Sequence, residues 1–383
     1  MKSSPVNYWL IGKEIFRSLR IKFHGARLKA YDKVYQNLPF TDIEKKYEGR
    51  AANFQLASWR TVSFERGELY AFYETIDGKL KKRITIELPR RVFLANDGHV
   101  FSNKGIIYNT YYNCTVLETV EEWGNDVNDS TEFIKITKTP SRSLEGLTIS
   151  ILSIGAVYNY AHFMFDSITK LTLIENLPKE IDWILVSGPQ LPWKDKILDY
   201  LDLTKKVIWV NGYEEVQCDQ LLFTSRINFS RHCSPFALNT IRKMFLSQNL
   251  LKGIPHRVIF ASRKNAKDRR NNLEDLFHQF LPPFFEIIDF ELLSMEETIR
   301  VCQECKYFSG VHGAAFANIV FCNPGIKVAE FQIEEILPEG HRNYYKGICD
   351  HLSFDHQVFI LNEKMGESEM ENLINQIVST LQM

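Results

Sequence analysis

Between residues 146 and 331 short apolar runs recur, each followed by a stretch with apolar positions at helical spacing. One series comprises Thr148–Ile154, Trp183–Ser187, Lys206–Val210 and Gln220–Thr224. After a helix-like stretch, Ser234–Leu251, a second comprises Arg257–Ala261, Glu286–Phe290, Tyr307–Gly310 and Lys327–Phe331. Runs apolar on both faces and separated by helices predict parallel strands covered from both sides. Two such series in succession predict an α/β protein with two doubly wound domains facing one another. The uncharged window Gly146–Phe165 carries too many polar residues for a membrane span and reads as a buried strand passing through a loop into a helix.

Upstream the rhythm changes. Residues 52–137 hold strand-like runs (Thr61–Phe64, Leu69–Tyr73, Arg83–Leu88, Phe133–Ile136) punctuated by the turn signals Asp77-Gly78 and Asp97-Gly98. Residues 6–35 predict an amphipathic helix whose apolar side includes Trp9, Leu10, Ile15, Phe16 and Phe23, while Lys13, Arg17, Arg20 and Lys22 supply basic charge. Packing on its own domain and lying on a membrane surface both remain open for it. Glu369–Leu381 predicts a closing helix. The expected divisions are a helical segment at 1–50, a first domain at 51–240 (β-rich at 51–145, α/β at 146–240), a second α/β domain at 241–350, and a strand and helix at 351–383 that pack back on the first domain.

The 383 residues suit two cores better than one. With 45% hydrophobic and 24% charged residues, disorder and fibrous classes are excluded. Forty-six basic against 47 acidic side chains leave a net charge of -1. Nucleic acid is therefore not an expected partner, and any anion site must be local. The N-terminus Met1-Lys2-Ser3-Ser4-Pro5 opens no apolar leader, and seven unpatterned cysteines fit reduced thiols; a cytoplasmic location is the expectation.

Open parallel sheets bind ligands beyond the carboxyl ends of their strands, and four stretches place chemistry there. Ser262-Arg263-Lys264-Asn265-Ala266-Lys267-Asp268-Arg269-Arg270 follows a strand and has the makings of a diphosphate cradle, or of a solvated basic turn. Gly310-Val311-His312-Gly313-Ala314-Ala315-Phe316-Ala317-Asn318 flanks a histidine with small residues that admit close backbone approach, before a helix N-terminus favourable to negative charge. In Asn159-Tyr160-Ala161-His162-Phe163-Met164-Phe165-Asp166, His162 and Asp166 are spaced i, i+4 and share a helix face. They read as a proton acceptor pair or as a lock on the helix start. Glu330, at the end of its predicted strand, is placed to hold ribose hydroxyls or is a rim charge. Cys302 and Cys305, in the helix-like Met295–Lys306, lack a second pair and read as buried thiols rather than a zinc site. Among the aspartates no two are separated by a single residue, so an Asp-x-Asp metal clamp is missing.

The stretches Asn159–Asp166, Ser262-Arg263 with Arg269 and Asn272-x-Glu274, His312-Gly313-Ala314 through Asn318, and Val328-Ala329-Glu330-Phe331, taken in this order, resemble glycosyltransferase family 61 across roughly residues 146–345. The resemblance implies the GT-B architecture, two Rossmann-like domains facing a cleft with the acceptor side at 51–240 and the nucleotide-sugar side at 241–350, and an inverting, metal-independent sugar transfer from a nucleotide-sugar, most often a UDP-sugar. It places the nucleotide-sugar on Ser262, Arg263, Arg269, His312, Gly313, Ala314, Asn318 and Glu330. Asn159 and Tyr160 fall to the acceptor and Asp166 or His162 to the base. No metal and no separate cofactor are implied. The expected acceptor is a saccharide or lipid-linked sugar of surface or capsular polysaccharide biosynthesis, with peripheral contact at the inner membrane. A non-catalytic sugar-nucleotide or carbohydrate-binding protein of the same fold is the alternative.

Overall fold

The computed structural model describes residues 90–109, 114–116, 119, 140–173, 180–228, 232–246, 254–264, 273–335, 337 and 343–381. It also describes the backbone of four earlier strands. The expected helix at 6–35, the run Phe133–Ile136 and the stretch 265–272, with Lys267, Arg269 and Arg270, lie outside the described residues.

The chain forms a mixed α/β structure on two main sheets. The second is simpler. Strands β12 (Arg257–Ala261), β13 (Phe285–Ile288), β14 (Cys305–Val311), β15 (Lys327–Ile333) and β16 (Asp355–Leu361) lie in the order β13-β12-β14-β15-β16, every pair parallel. Numbered from its own first strand this is the order 2-1-3-4-5, one of the two common doubly wound arrangements, with its switch point between β12 and β14. Apolar residues fill both faces. Val328 belongs to a core shared with the first sheet, and Ala329, Phe331 and Ile333 to a core beneath the helices Leu273–Phe280 and Glu367–Thr380. The C-terminal strand and helix therefore complete this second layer. Their expected return to the first domain is corrected, because β16 takes its hydrogen bonds from β15 and Met370, Leu373, Ile374 and Ile377 bury against the second sheet.

The first sheet departs further from expectation. Its nine strands comprise β1 (Gln36–Leu38), β2 (Trp59–Glu65), β5 (Arg90–Phe101), β6 (Ile106–Asn109), β7 (Cys114–Val116), β8 (Arg142–Ser150), β9 (Trp183–Ser187), β10 (Val207–Val210) and β11 (Glu215–Thr224). Strands β11, β8, β9 and β10 are parallel, as the apolar runs predict. The long β5 then joins β11 antiparallel, so the β-rich and α/β parts expected together at 51–240 share one sheet. The reason lies in β5, whose residues Val92–Ala95 and His99–Phe101 are buried and need a covered sheet position. Asp97-Gly98, predicted as a turn, lies inside β5, where a side chain at Gly98 would collide with Leu221 on β11. The other turn signal, at positions 77–78, does separate an antiparallel pair, β3 (Leu69–Ile76) and β4 (Lys79–Glu87). No helix among the described residues is long and apolar enough to cross a membrane.

Candidate active site between the sheets

The two sheets meet through one continuous apolar core to which Phe163, Phe165, Phe245, Phe308, Phe316 and Phe321 all contribute. At its edge, beyond the carboxyl ends of β12 and β13, opens a cavity of about 160 Å³. Tyr158, Tyr160, Trp193 and Lys196 line it from the first half, and Ser262, Arg263, Asp289, Phe290, Ala314, Ala315 and Asn318 are among those lining it from the second. Two side chains bridge its walls. The Lys196 ammonium donates to the carbonyls of Glu291 (2.6 Å) and Leu293 (2.8 Å), and the Tyr160 hydroxyl donates to Asn318 Oδ1 (2.7 Å). Burial, with the nearby Cys302, pushes the Tyr160 phenol far above its ordinary range, so it stays a donor.

Arg263 leaves β12 with its backbone N–H donating to Glu274 Oε1 (2.7 Å) and its Nη1 donating to the carbonyl of His312 (2.7 Å). Ser262 donates to the same Glu274 oxygen at 2.9 Å. The guanidinium lies against Gly313: a Cβ built there would come within 2.6 Å of Cζ. Gly313 opens the 3₁₀ helix Ala314–Phe321, whose far end is held by Arg242 Nη1 donating to the carbonyls of Val320 and Cys322. The leading amides of a helix lack partners within it and carry partial positive charge. Here they belong to Ala314 and Ala315, on the cavity wall.

Beside the start of that helix two histidines pack on a tandem tyrosine pair, Tyr344 and Tyr345. Nδ1 of His162 lies 2.7 Å from Asp166 Oδ2, while Asn228 Nδ2 donates to Asp166 Oδ1 (2.5 Å). The Asn159 side chain accepts from the His162 backbone N–H (3.3 Å) and starts the short helix Tyr160–His162, which continues as a π-helical turn, Phe163–Ser167. The His162 ring packs edge-on to Tyr344 at 6.2 Å, and the His312 ring to Tyr345 at 5.1 Å. Tyr345 donates to the carbonyl of Gly313 (2.6 Å).

Glu330 is neither at a strand end nor on a rim. Strand β15 runs on to Ile333, and Glu330 is 0% exposed, paired with Gly310 in register. His312 Nδ1 hydrogen-bonds to its Oε1, and His356 Nε2 to its Oε2 at 2.9 Å. Gln332 adds a bond to Oε1 at 3.0 Å. Burial, the largest influence, raises the carboxyl, but the two imidazoles outweigh it and hold Glu330 at about 2. A carboxylate so enclosed does not present itself to a ribose, and that expectation is corrected.

Of the predicted residues, Tyr160, Ser262, Arg263, Ala314 and Asn318 line the cavity. Gly313 and the His312 carbonyl back it through Arg263, and Asn159, His162 and Asp166 are bonded into a cluster of their own, none of them lining the cavity. Cys302 and Cys305 are buried free thiols as read, although Cys305 begins β14 instead of ending the helix, which stops at Gln303. Sequence reasoning missed Asp289, Asn228, the tyrosines and His356, which carry no local motif. It missed Lys194 too. That side chain is 0% exposed, and its ammonium donates to the carbonyls of Val157 (3.0 Å), Ser187 (2.5 Å) and Pro189 (3.1 Å). Burial lowers it to about 8. Among the described residues no group of three or more His, Cys, Asp or Glu is placed to hold a metal ion.

In comparison with known proteins, the family model described as Glycosyltransferase 61 matches residues 160–329, somewhat under half of the chain. The matched span starts at Tyr160 and ends one residue before Glu330, enclosing the whole cavity lining but Tyr158. No curated protein matches this chain.

Proposed function

We propose that the protein is a glycosyltransferase that moves a sugar from a nucleotide-sugar to a hydroxyl acceptor with inversion at the anomeric carbon. The observation that carries this reading is the placing of Arg263, Ser262 and the Ala314–Ala315 amides around one cavity at the switch point of a parallel sheet, closed by aromatic side chains from the other half. The family match over residues 160–329 supports it.

The diphosphate occupies the space beside Arg263 and the leading amides of the 3₁₀ helix, where a guanidinium fork and helix-end donors meet phosphate oxygens. The ribose falls to Asp289 in place of Glu330. Asp289 directly follows β13, the strand beside the phosphate-binding one, where doubly wound folds place the carboxylate that accepts from ribose hydroxyls. Trp193, Phe290 and Tyr158 wall the remainder. A bond forms between the acceptor oxygen and the anomeric carbon as the bond from that carbon to the diphosphate breaks. The electron pair leaves with the diphosphate, and the hydroxyl proton passes to the His162 imidazole, oriented by Asp166. The donor is read as a UDP-sugar and the acceptor as a saccharide or lipid-linked sugar of surface polysaccharide biosynthesis.

A panel of UDP, GDP, CDP and ADP with their sugars, read by thermal shift and by release of free nucleotide, tests this. One nucleotide should stabilise the protein, and its sugar should be slowly hydrolysed. In Arg263→Ala both responses should fall, hydrolysis by about 10²–10³, the cost of removing a preorganised charge-stabilising donor. A protein stabilised by none of these ligands is not a nucleotide-sugar enzyme. Stabilisation without turnover, with any acceptor offered, returns a sugar-nucleotide-binding protein.

A further inference from the structure

Three titratable side chains stand in line inside the second sheet: His312 after β14, Glu330 on β15 and His356 on β16. Both carboxylate oxygens are engaged, one by each imidazole, and the carboxyl group sees no solvent. An ionised carboxylate in such a place requires a compensating cation, because burying a charge without one is costly. The groups facing Glu330 are His312, His356, the Gln332 amide and the Cys349 thiol. Burial, and then Glu330 itself, pushes Cys349 far up, so it remains a neutral thiol. Among these groups only the two imidazoles can carry the compensating positive charge.

His312 is the imidazole nearer the cavity. Its carbonyl accepts from Arg263, its ring packs on Tyr345, and it is 9% exposed. Its Nε2 makes no hydrogen bond among the described residues. An imidazolium beside the Arg263 guanidinium is opposed by like charge unless a carboxylate lies behind it, and Glu330 is that carboxylate.

We propose that Glu330, backed by His356, is a positioning residue that holds His312 as an imidazolium with its Nε2–H turned outward, so that His312 donates to the diphosphate as it departs. This rests on the nucleotide-sugar reading and extends it. The active site then contains two carboxylate-oriented histidines with opposite duties. His162, held by Asp166, receives a proton from the acceptor; His312, held by Glu330, meets the negative charge that develops on the other side of the anomeric carbon. No proton need leave His312 in this step, which is electrostatic.

The test uses the full-length protein with inorganic pyrophosphate and UDP, binding being measured by calorimetry from pH 5.5 to 9. Binding should weaken 10- to 100-fold as His312 loses its proton. Glu330→Gln should move that weakening to lower pH, and His312→Gln should remove it. Nitrogen-15 spectra of the histidine side chains in the wild-type protein give a readout that needs no buried substitution. His312 should carry protons on both ring nitrogens wherever binding is strong. An unmoved profile in a folded Glu330→Gln, or an unprotonated Nε2 under strong binding, overturns the relay. Should Glu330→Gln not fold, the wild-type spectrum decides. If neither ligand binds the wild type at any pH, the nucleotide-sugar reading falls with it; if both bind without pH dependence, the relay alone falls.

Discussion

The two histidine–carboxylate pairs reach similar geometry by different routes. His162 and Asp166 are four residues apart on one helical segment, so a single turn brings them together. His312 and Glu330 are eighteen apart on neighbouring parallel strands, and only the register of β14 on β15, with His356 contributed by β16, makes them meet. The first pair is therefore as rigid as its helix start, and the second as rigid as its sheet. The first keeps more contact with solvent, with side chains 13% and 11% exposed, against 9% and 0% for the second. A base that must exchange protons with an acceptor benefits from access, whereas a fixed counter-charge benefits from exclusion of water, where its field is less screened.

The largest effect that separates the pairs is on transfer itself. His162→Ala should lower transfer by 10²–10⁴, the range for losing a general base, while leaving pyrophosphate affinity within about twofold. Asp166→Asn should fall in the same direction by less. Steady-state rates with the matched nucleotide-sugar, beside calorimetry with pyrophosphate, measure this division. Equal loss of binding and rate in His162→Ala would mean that both histidines serve one end of the substrate.

Acid stability should distinguish the second pair. Glu330 is held at about 2 in the folded chain and titrates near 4.3 when unfolded, so between these values the unfolded chain binds the extra proton. Its contribution is present above about pH 4.3 and is lost as pH falls towards 2, amounting to about 3 kcal/mol. In urea unfolding from pH 5 to pH 3, Glu330→Gln should lose less stability than the wild type by about half of this amount. Identical slopes would show that the pair contributes nothing to the fold.

That contrast also explains what the sequence made legible. The apolar runs and the i, i+4 spacing are local properties, and they predicted the parallel strands, the strand-end loops at Ser262 and His312, and the His162–Asp166 pair. Whether a residue at a strand's edge is exposed or enclosed depends on the next strand. Glu330 looked like a rim carboxylate because three further strand residues, and His356 beyond them, complete its surroundings. The arrangement of the β-rich segment is not legible for a similar reason: nothing local says that β5 pairs with β11 across more than a hundred intervening residues.

Lys194 sharpens the comparison from the first half. Its three carbonyl partners tie the loops after β8 and β9 together, just before the helix start that carries His162. Lys194→Met keeps the apolar stem among Phe163, Trp193 and Trp209 but leaves buried carbonyls without a donor. The cost should be about 2 kcal/mol, read from the urea midpoint. At temperatures where the variant is folded, pyrophosphate binding should persist while transfer declines. A loss of pyrophosphate binding in the folded variant would tie the two halves more closely than this comparison allows.

The smallest effect is the most local. At Gly313 an added methyl would lie 2.6 Å from the guanidinium carbon of Arg263 and 2.7 Å from Nη1, the atom that donates to the His312 carbonyl. The obstructing group is the far end of a flexible side chain, so the fold can accommodate the methyl by letting Arg263 swing away. Gly313→Ala should therefore keep its thermal midpoint within a few degrees and lose about tenfold in pyrophosphate affinity, comparable to one charge-assisted hydrogen bond of about 1.5 kcal/mol. Adding Arg263→Ala to Gly313→Ala should then cost less than Arg263→Ala costs alone, since the guanidinium is already displaced. Additive losses in that cycle would mean that Gly313 acts through the helix amides behind it, and that Arg263 and the amides hold the diphosphate independently.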